Sequence, residues 1–181
     1  MLYPRMDTLI KFAEESNAIE GVFDHAALER HVEAAASTVL AVSQLRTIPP
    51  ILRTHRKLFY GSPMNPLDVG HPRAVAVRVG GNPCPPPGDV PALVDHWYAE
   101  IGEEAGRDWQ RLDAAACWRY HHLFECIHPF VDGNGRVGRL VLNHLRLLAG
   151  LPWLVILAGA RDEYYQAIQD FRSREWIEWA A

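Results

Sequence analysis

The stretch His128-Pro129-Phe130-Val131-Asp132-Gly133-Asn134-Gly135-Arg136-Val137-Gly138-Arg139 decides how the rest of the chain is read. Pro129 disfavours helical geometry at His128, so a helix arriving from Trp109 to Ile127 ends at the histidine. Gly133 and Gly135 then make a tight turn, and Arg136 to Ala149 reads as the next helix, closed by Gly150 and Pro152. Helix, turn, helix builds an anion site, because the second helix starts with unpaired N–H groups at the positive end of its dipole. Arg136 and Arg139 stand three residues apart and reach the same face. Asp132 is a candidate ligand for Mg²⁺, which favours one or two carboxylates plus phosphate oxygens. His128, at the end of the arriving helix, is a candidate general base.

Other readings of the same residues fail on context. Gly133-Asn134-Gly135-Arg136-Val137-Gly138 fits G-x-G-x-x-G, but a dinucleotide site needs a strand before it and a helix precedes it here. No G-x-x-x-x-G-K-S/T occurs, so the phosphate site is not a P-loop. Cys126 and His128 are two apart on a helix and do not face each other, so Cys126 reads as a small buried residue. His121, His122 and His144 lack zinc-like spacing and read as packing or surface histidines.

Outward from this stretch, the periodicity is mostly helical. Asp24 is a candidate N-cap for a helix ending before Pro49 and Pro50, and Ile51 to Phe59 forms the next, stopped by Gly61 and Pro63. Residues 61 to 91 are rich in Gly and Pro, and there Arg73 to Val79 reads as a strand with Val75, Val77 and Val79 on one face. Pro83 to Pro87 is extended, Asp89 starts a helix through Ala99 or beyond, and a last amphipathic helix spans Arg161 to Trp179. The fold class is all-α with one short β-hairpin flap.

The 181 residues are 49% apolar and carry a formal charge of −4, which suits one globular unit. Its basic residues are scattered, which disfavours nucleic-acid binding by this chain alone. Three cysteines without a Cys-x-x-Cys pair do not form a disulfide framework. With no signal-peptide pattern and no membrane-length apolar run, the expectation is a cytoplasmic protein.

The signature resembles that of the Fic family, His-Pro-Phe-x-Asp/Glu-Gly-Asn-Gly-Arg-x-x-Arg, with no mismatch in its fixed positions. The resemblance extends over HHLFECIHPFVDGNGRVGRLVLNHLRLLAGLP and includes Arg78-Val79-Gly80-Gly81 with the proline run, so it covers most of residues 50 to 170. It implies an Mg²⁺-dependent protein adenylyltransferase that moves AMP from ATP to a Tyr, Ser or Thr hydroxyl. His128 would take the hydroxyl proton and Asp132 would hold Mg²⁺. Asn134 and the Gly133 to Gly135 backbone would hold the α-phosphate, Arg136 the β-phosphate and Arg139 the γ-phosphate. Tyr165 is the candidate for stacking on adenine, and Arg73, Val75, Val77 and Val79 form a flap that docks the target as an added strand.

Upstream, Ser16-Asn17-Ala18-Ile19-Glu20-Gly21 is similar to the family's inhibitory motif, which implies that Glu20 pairs with Arg139 and obstructs the γ-phosphate. Residues 1–47 then form an N-terminal helical region with this motif, and 48–181 the catalytic core. The resemblance leaves open removal of AMP at the same site, self-modification and a homodimer. It also leaves open another transferred group (UMP, phosphocholine or phosphoryl) and a noncatalytic nucleotide-binding interaction module.

Overall fold

The computed structural model describes residues 3–45, 51–176 and 179. Among them run helices α1 (Met6–Ile19), α2 (His25–Leu45), α3 (Ile51–Phe59), α4 (Val90–Ala105), α5 (Ala114–Ile127), α6 (Asn134–Leu148) and α7 (Arg161–Phe171). Strands β1 (Arg78–Val79) and β2 (Asn82–Pro83) form one antiparallel hairpin. The fold is therefore all-α with a small flap, as expected. No described helix is long and apolar enough to cross a membrane, and Cys84, Cys117 and Cys126 are free thiols.

Local chemistry sets most boundaries. Asp24 caps α2 by accepting the Ala27 N–H at 2.8 Å. Pro49, Pro50 and the boundary between residues 47 and 48 lie outside the described residues. The helix expected from Trp109 starts instead at Ala114, because Asp113 caps it by accepting the Ala116 N–H at 2.8 Å; Trp109–Arg111 makes only a 3₁₀ turn. The helix expected from Arg161 opens as α7 and passes into a π-helical turn over Arg172–Trp176, and the stretch between there and Trp179 lies outside the described residues.

The expected strand over Arg73 to Val79 is also shorter. Only Arg78 and Val79 pair, with Pro83 and Asn82, across a turn in which Gly80 and Gly81 both have positive φ. The returning arm supplies the reason. It is Pro83-Cys84-Pro85-Pro86-Pro87, and prolines donate no ladder hydrogen bonds. Its one N–H within that run, on Cys84, reaches the Val77 carbonyl at 3.1 Å.

Helix α6 is the hub, packed against α1, α2, α3 and α5, and nearly all of its residues are buried. An all-round buried helix needs close neighbours. At Gly138 a methyl group would lie 2.2 Å from Glu125 Oε1 and 3.1 Å from the Phe124 ring, so glycine there sets the α5–α6 approach. Leu9 and Phe12 of α1 and Ala34 and Ala35 of α2 share one core with Trp97, Tyr120, Phe124, Phe130 and Leu140. Burying a side chain such as Phe12 contributes ~2 to 3 kcal/mol, which fixes α1 against the hub.

Candidate active site

The turn between α5 and α6 is built from both sides. His128 ends α5 in the left-handed region (φ 52°, ψ 61°), the only described non-glycine residue with positive φ. Gly133, at φ 80°, is the N-cap of α6, and a methyl group on it would lie 2.3 Å from the Phe59 ring. Asn134 staples the turn, since its Oδ1 accepts the Phe130 N–H and its Nδ2 donates to the Phe130 carbonyl, both at 2.9 Å. Its side chain is thus committed to the loop itself.

His128 is positioned as a neutral imidazole. Its Nδ1–H points to the Glu125 carbonyl at 3.3 Å, which leaves Nε2 with a free lone pair. Burial pushes its pKa down to about 4, the nearby Arg172 and Arg73 push the same way, and the Glu125 carbonyl opposes them. Asp132 turns outward with a side chain 65% exposed. Its Oδ1 accepts the Gly133 N–H at 2.6 Å and its Oδ2 lies 3.5 Å from Arg136.

The two signature arginines converge from α6. Arg136 lies over the Phe59 ring, 4.7 Å from its centroid, and its buried Nε has no hydrogen-bond partner. Arg139, 1% exposed, is held by four contacts. Its Nε donates to Ser16 Oγ at 2.8 Å, and Nη2 donates to the Ser16 carbonyl at 3.0 Å and to Glu20 Oε1 at 2.8 Å. Nη1 donates to Tyr164 Oη at 3.3 Å. Glu20 lies directly over the start of α6, for a methyl group on Gly135 would come within 2.2 Å of its Oε1. A carboxylate therefore sits where the helix N-terminus and two guanidinium groups favour an anion.

The segment carrying Glu20 is tied down along its length. Asn17 Oδ1 pairs with His31 Nδ1 at 2.8 Å, and Glu15 Oε2 accepts the Ala158 N–H at 2.7 Å. Ser16, Asn17 and Ile19 are buried. Tyr165 sends its hydroxyl to Glu20 Oε2 at 3.4 Å, and Arg161 lies 5.3 Å from its ring centroid.

The flap residues divide. Val75 is 54% exposed, while Val77 and Val79 are half-buried. Arg73, grouped with them from sequence, is 2% exposed and turned into the protein. Its side chain is therefore not on the exposed face of the flap.

Three residues support the site in ways that were not read from the sequence. His55 is stacked between Phe59 and Phe130, with centroids 4.6 and 4.0 Å away. Its Nδ1 accepts the Gly70 N–H at 2.8 Å, so its Nε2–H donates to the Asp132 carbonyl at 3.1 Å. Burial holds its pKa down to about 4. Tyr164 bridges Arg139 to His121 Nε2 at 2.9 Å, and Glu125, buried on α5 against Gly138 of α6, has its carboxyl pushed up to about 8 by burial. A histidine four residues before Phe59 on one helix face was the one sequence signal for any of these.

Known proteins of similar sequence and shape bear on this geometry. The Fic/DOC family model matches residues 47–145. The chain is 31% identical over 169 residues to the protein adenylyltransferase Fic of Aedes aegypti, covering 93% of this chain and 32% of that protein. It spans about a third or less of the length of such curated relatives. A Fic-domain-containing signaling protein from Bacteroides thetaiotaomicron superposes with a TM-score of 0.78 at 20% identity, covering 93% of this chain and 73% of that one. A Fic family protein from Desulfovibrio desulfuricans gives 0.69 at 26%, over 93% and 58% of the two chains.

Proposed function

The chain belongs to the Fic/DOC family, and from that premise we propose that it is a protein adenylyltransferase that moves AMP from ATP to a protein hydroxyl and is restrained by Glu20. The observation that carries this reading is the Glu20 carboxylate seated on Arg139 over Gly135, at the start of α6. An anion site is complete there, and an internal acid occupies it.

In this reading residues 48–181 are the catalytic core and residues 1–47 carry the restraint. With Glu20 withdrawn, Arg139 receives the γ-phosphate and Arg136 the β-phosphate. The orphaned Arg136 Nε is a donor in want of such a partner. The α-phosphate lies at the Gly133 to Gly135 backbone, and Asn134 supports it by holding the turn. Tyr165 borders the adenine side.

His128 Nε2 takes the proton of the target hydroxyl as its oxygen attacks the α-phosphorus, and the bond from that phosphorus to the pyrophosphate oxygen breaks. A free imidazole with a pKa near 4 is a weak base, and the negative charge of a bound triphosphate raises it toward neutrality. The Tyr, Ser or Thr hydroxyl is presented by a target segment lying along the flap.

Asp132 fits Mg²⁺, because its carboxylate is exposed and stands at the mouth of the turn beside Arg136, so it would hold the ion together with phosphate oxygens of the nucleotide. Bound there, the ion would neutralise charge on the phosphates.

ATP labelled at either the α- or the γ-phosphate tests the reaction on the Glu20→Gly protein. Label retained on protein from the α position alone supports AMP transfer. Label from the γ position points to phosphoryl transfer instead, and nucleotide binding without retained label to an interaction module.

A further inference from the structure

Arg73 is the most heavily committed buried cation outside the nucleotide site. Among the described residues, the hydrogen bonds of its guanidinium all go to backbone carbonyls. Nε donates to His128 O at 2.8 Å, Nη1 to Val75 O at 3.0 Å, and Nη2 to Pro85 O at 2.7 Å, with Ile127 O at 3.5 Å. Its own backbone N–H donates to Pro129 O at 2.8 Å.

We propose that Arg73 is a positioning residue that holds His128 in its left-handed backbone conformation and joins the base to both arms of the flap. The proposal rests on the reading of His128 as the base.

The end of α5 explains the need. A helix leaves its last carbonyls without partners, and the negative end of its dipole favours a cation. Arg73 supplies both, on Ile127 and His128. The backbone at His128 is strained, since it is left-handed without being glycine. Pro129 adds its own restriction on the preceding residue. That conformation persists only where its surroundings dictate it, and here the carbonyls on either side of the His128–Pro129 bond are both gripped by one residue.

The other half of the guanidinium faces the flap. Val75 stands on its ascending arm and Pro85 on its returning arm, which has almost no N–H groups with which to pair. The hairpin ladder proper ends at Arg78 and Pro83, with one bond more from Cys84 to Val77. Below that point Arg73 is the link between the arms. A rigid fork of five donors can span three carbonyl directions, whereas a lysine ammonium, with its donors on one atom, cannot. Arg73 thus sets the distance between the segment that presents the hydroxyl and the imidazole that deprotonates it.

The test compares Arg73→Lys and Arg73→Gln with the parent, all in the Glu20→Gly background. Two readouts are needed. One is steady-state AMP transfer, and the other the backbone ¹³Cα and ¹³C′ shifts of His128, which report its φ and ψ without any catalysis. The expected result is a fall of ~10- to 100-fold in kcat, the loss that misplacement of a base by about 1 Å brings. KM for ATP stays within about threefold, because Arg136 and Arg139 are untouched, and the His128 shifts leave the left-handed range. Unchanged shifts with kcat within about threefold of the parent would overturn the proposal. So would unfolding of both variants at 25 °C, which would reduce Arg73 to a prop of the fold. If the parent itself transfers no AMP, the assignment of the base fails, and the His128 shifts still decide whether Arg73 positions that residue.

Discussion

Replacing Gly135 by alanine probes the seat of Glu20 without nucleotide. The new methyl group would lie 2.2 Å from Glu20 Oε1 and 3.0 Å from Arg139 Nη1, so the carboxylate has to withdraw by about 1 Å and its 2.8 Å contact with Arg139 is lost. Breaking a fully buried ion pair costs ~3 to 5 kcal/mol. Glu20 is 27% exposed and Arg139 keeps Ser16 and Tyr164, so the loss here is ~2 kcal/mol. Against it stands a gain of up to ~1 kcal/mol, because alanine favours the helix more than glycine does. Gly135→Ala is therefore expected to destabilise the protein by ~1 to 2 kcal/mol when Glu20 is present and to be neutral or mildly stabilising in the Glu20→Gly background. Urea unfolding of the four proteins gives the coupling directly, and about 2 kcal/mol is the expected value. A coupling below about 0.5 kcal/mol would rule out this seat for Glu20, since the cost of the methyl group would then owe nothing to its carboxylate.

Two further outcomes follow from the same turn and its surroundings. Gly133→Ala should cost ~3 kcal/mol or more, from a left-handed backbone at φ 80° and a clash with the Phe59 ring at 2.3 Å; a urea midpoint unchanged from the parent would contradict it. Stability should also fall as pH drops from about 6.5 toward 4. His55, His122 and His128 are held by burial at about 4 in the fold, so the unfolded chain takes up their protons first. Glu125 works the other way, because its raised value of about 8 keeps it protonated in the fold where the unfolded chain would ionise, between pH 4.5 and 8. Three histidines outweigh one glutamate, and a loss of more than ~1 kcal/mol per pH unit is expected between pH 6.5 and 5; a flat profile there would contradict the burial of these imidazoles.

What could be read in the sequence was what neighbouring residues decide. The cap at Asp24, the helix Ile51–Phe59 and the end of α5 before Pro129 depend on chemistry within a turn or two. The signature packs its acid, imidazole and arginines into twelve residues, so their placement around one turn between two helices was legible as well. The flap was read too long because alternation in Arg73 to Val79 says nothing about the partner arm, whose prolines cannot pair. Asp113 outbid Trp109 as the start of α5 by a capping bond that the apolar pattern did not reveal. Glu20 and Arg139 are 119 residues apart, and only family resemblance suggested their pairing. His55, Arg73 and Tyr164 act through backbone carbonyls or a shared guanidinium, partners that exist only once the chain is folded.

The most direct measurement is intact-protein mass spectrometry after incubation with ATP and Mg²⁺, on the parent, Glu20→Gly and Glu20→Gly/His128→Ala. An added AMP is expected in the Glu20→Gly protein, much less in the parent, and none once His128 is gone. Equal modification of parent and Glu20→Gly would contradict restraint by Glu20, and modification that survives His128→Ala would contradict the base.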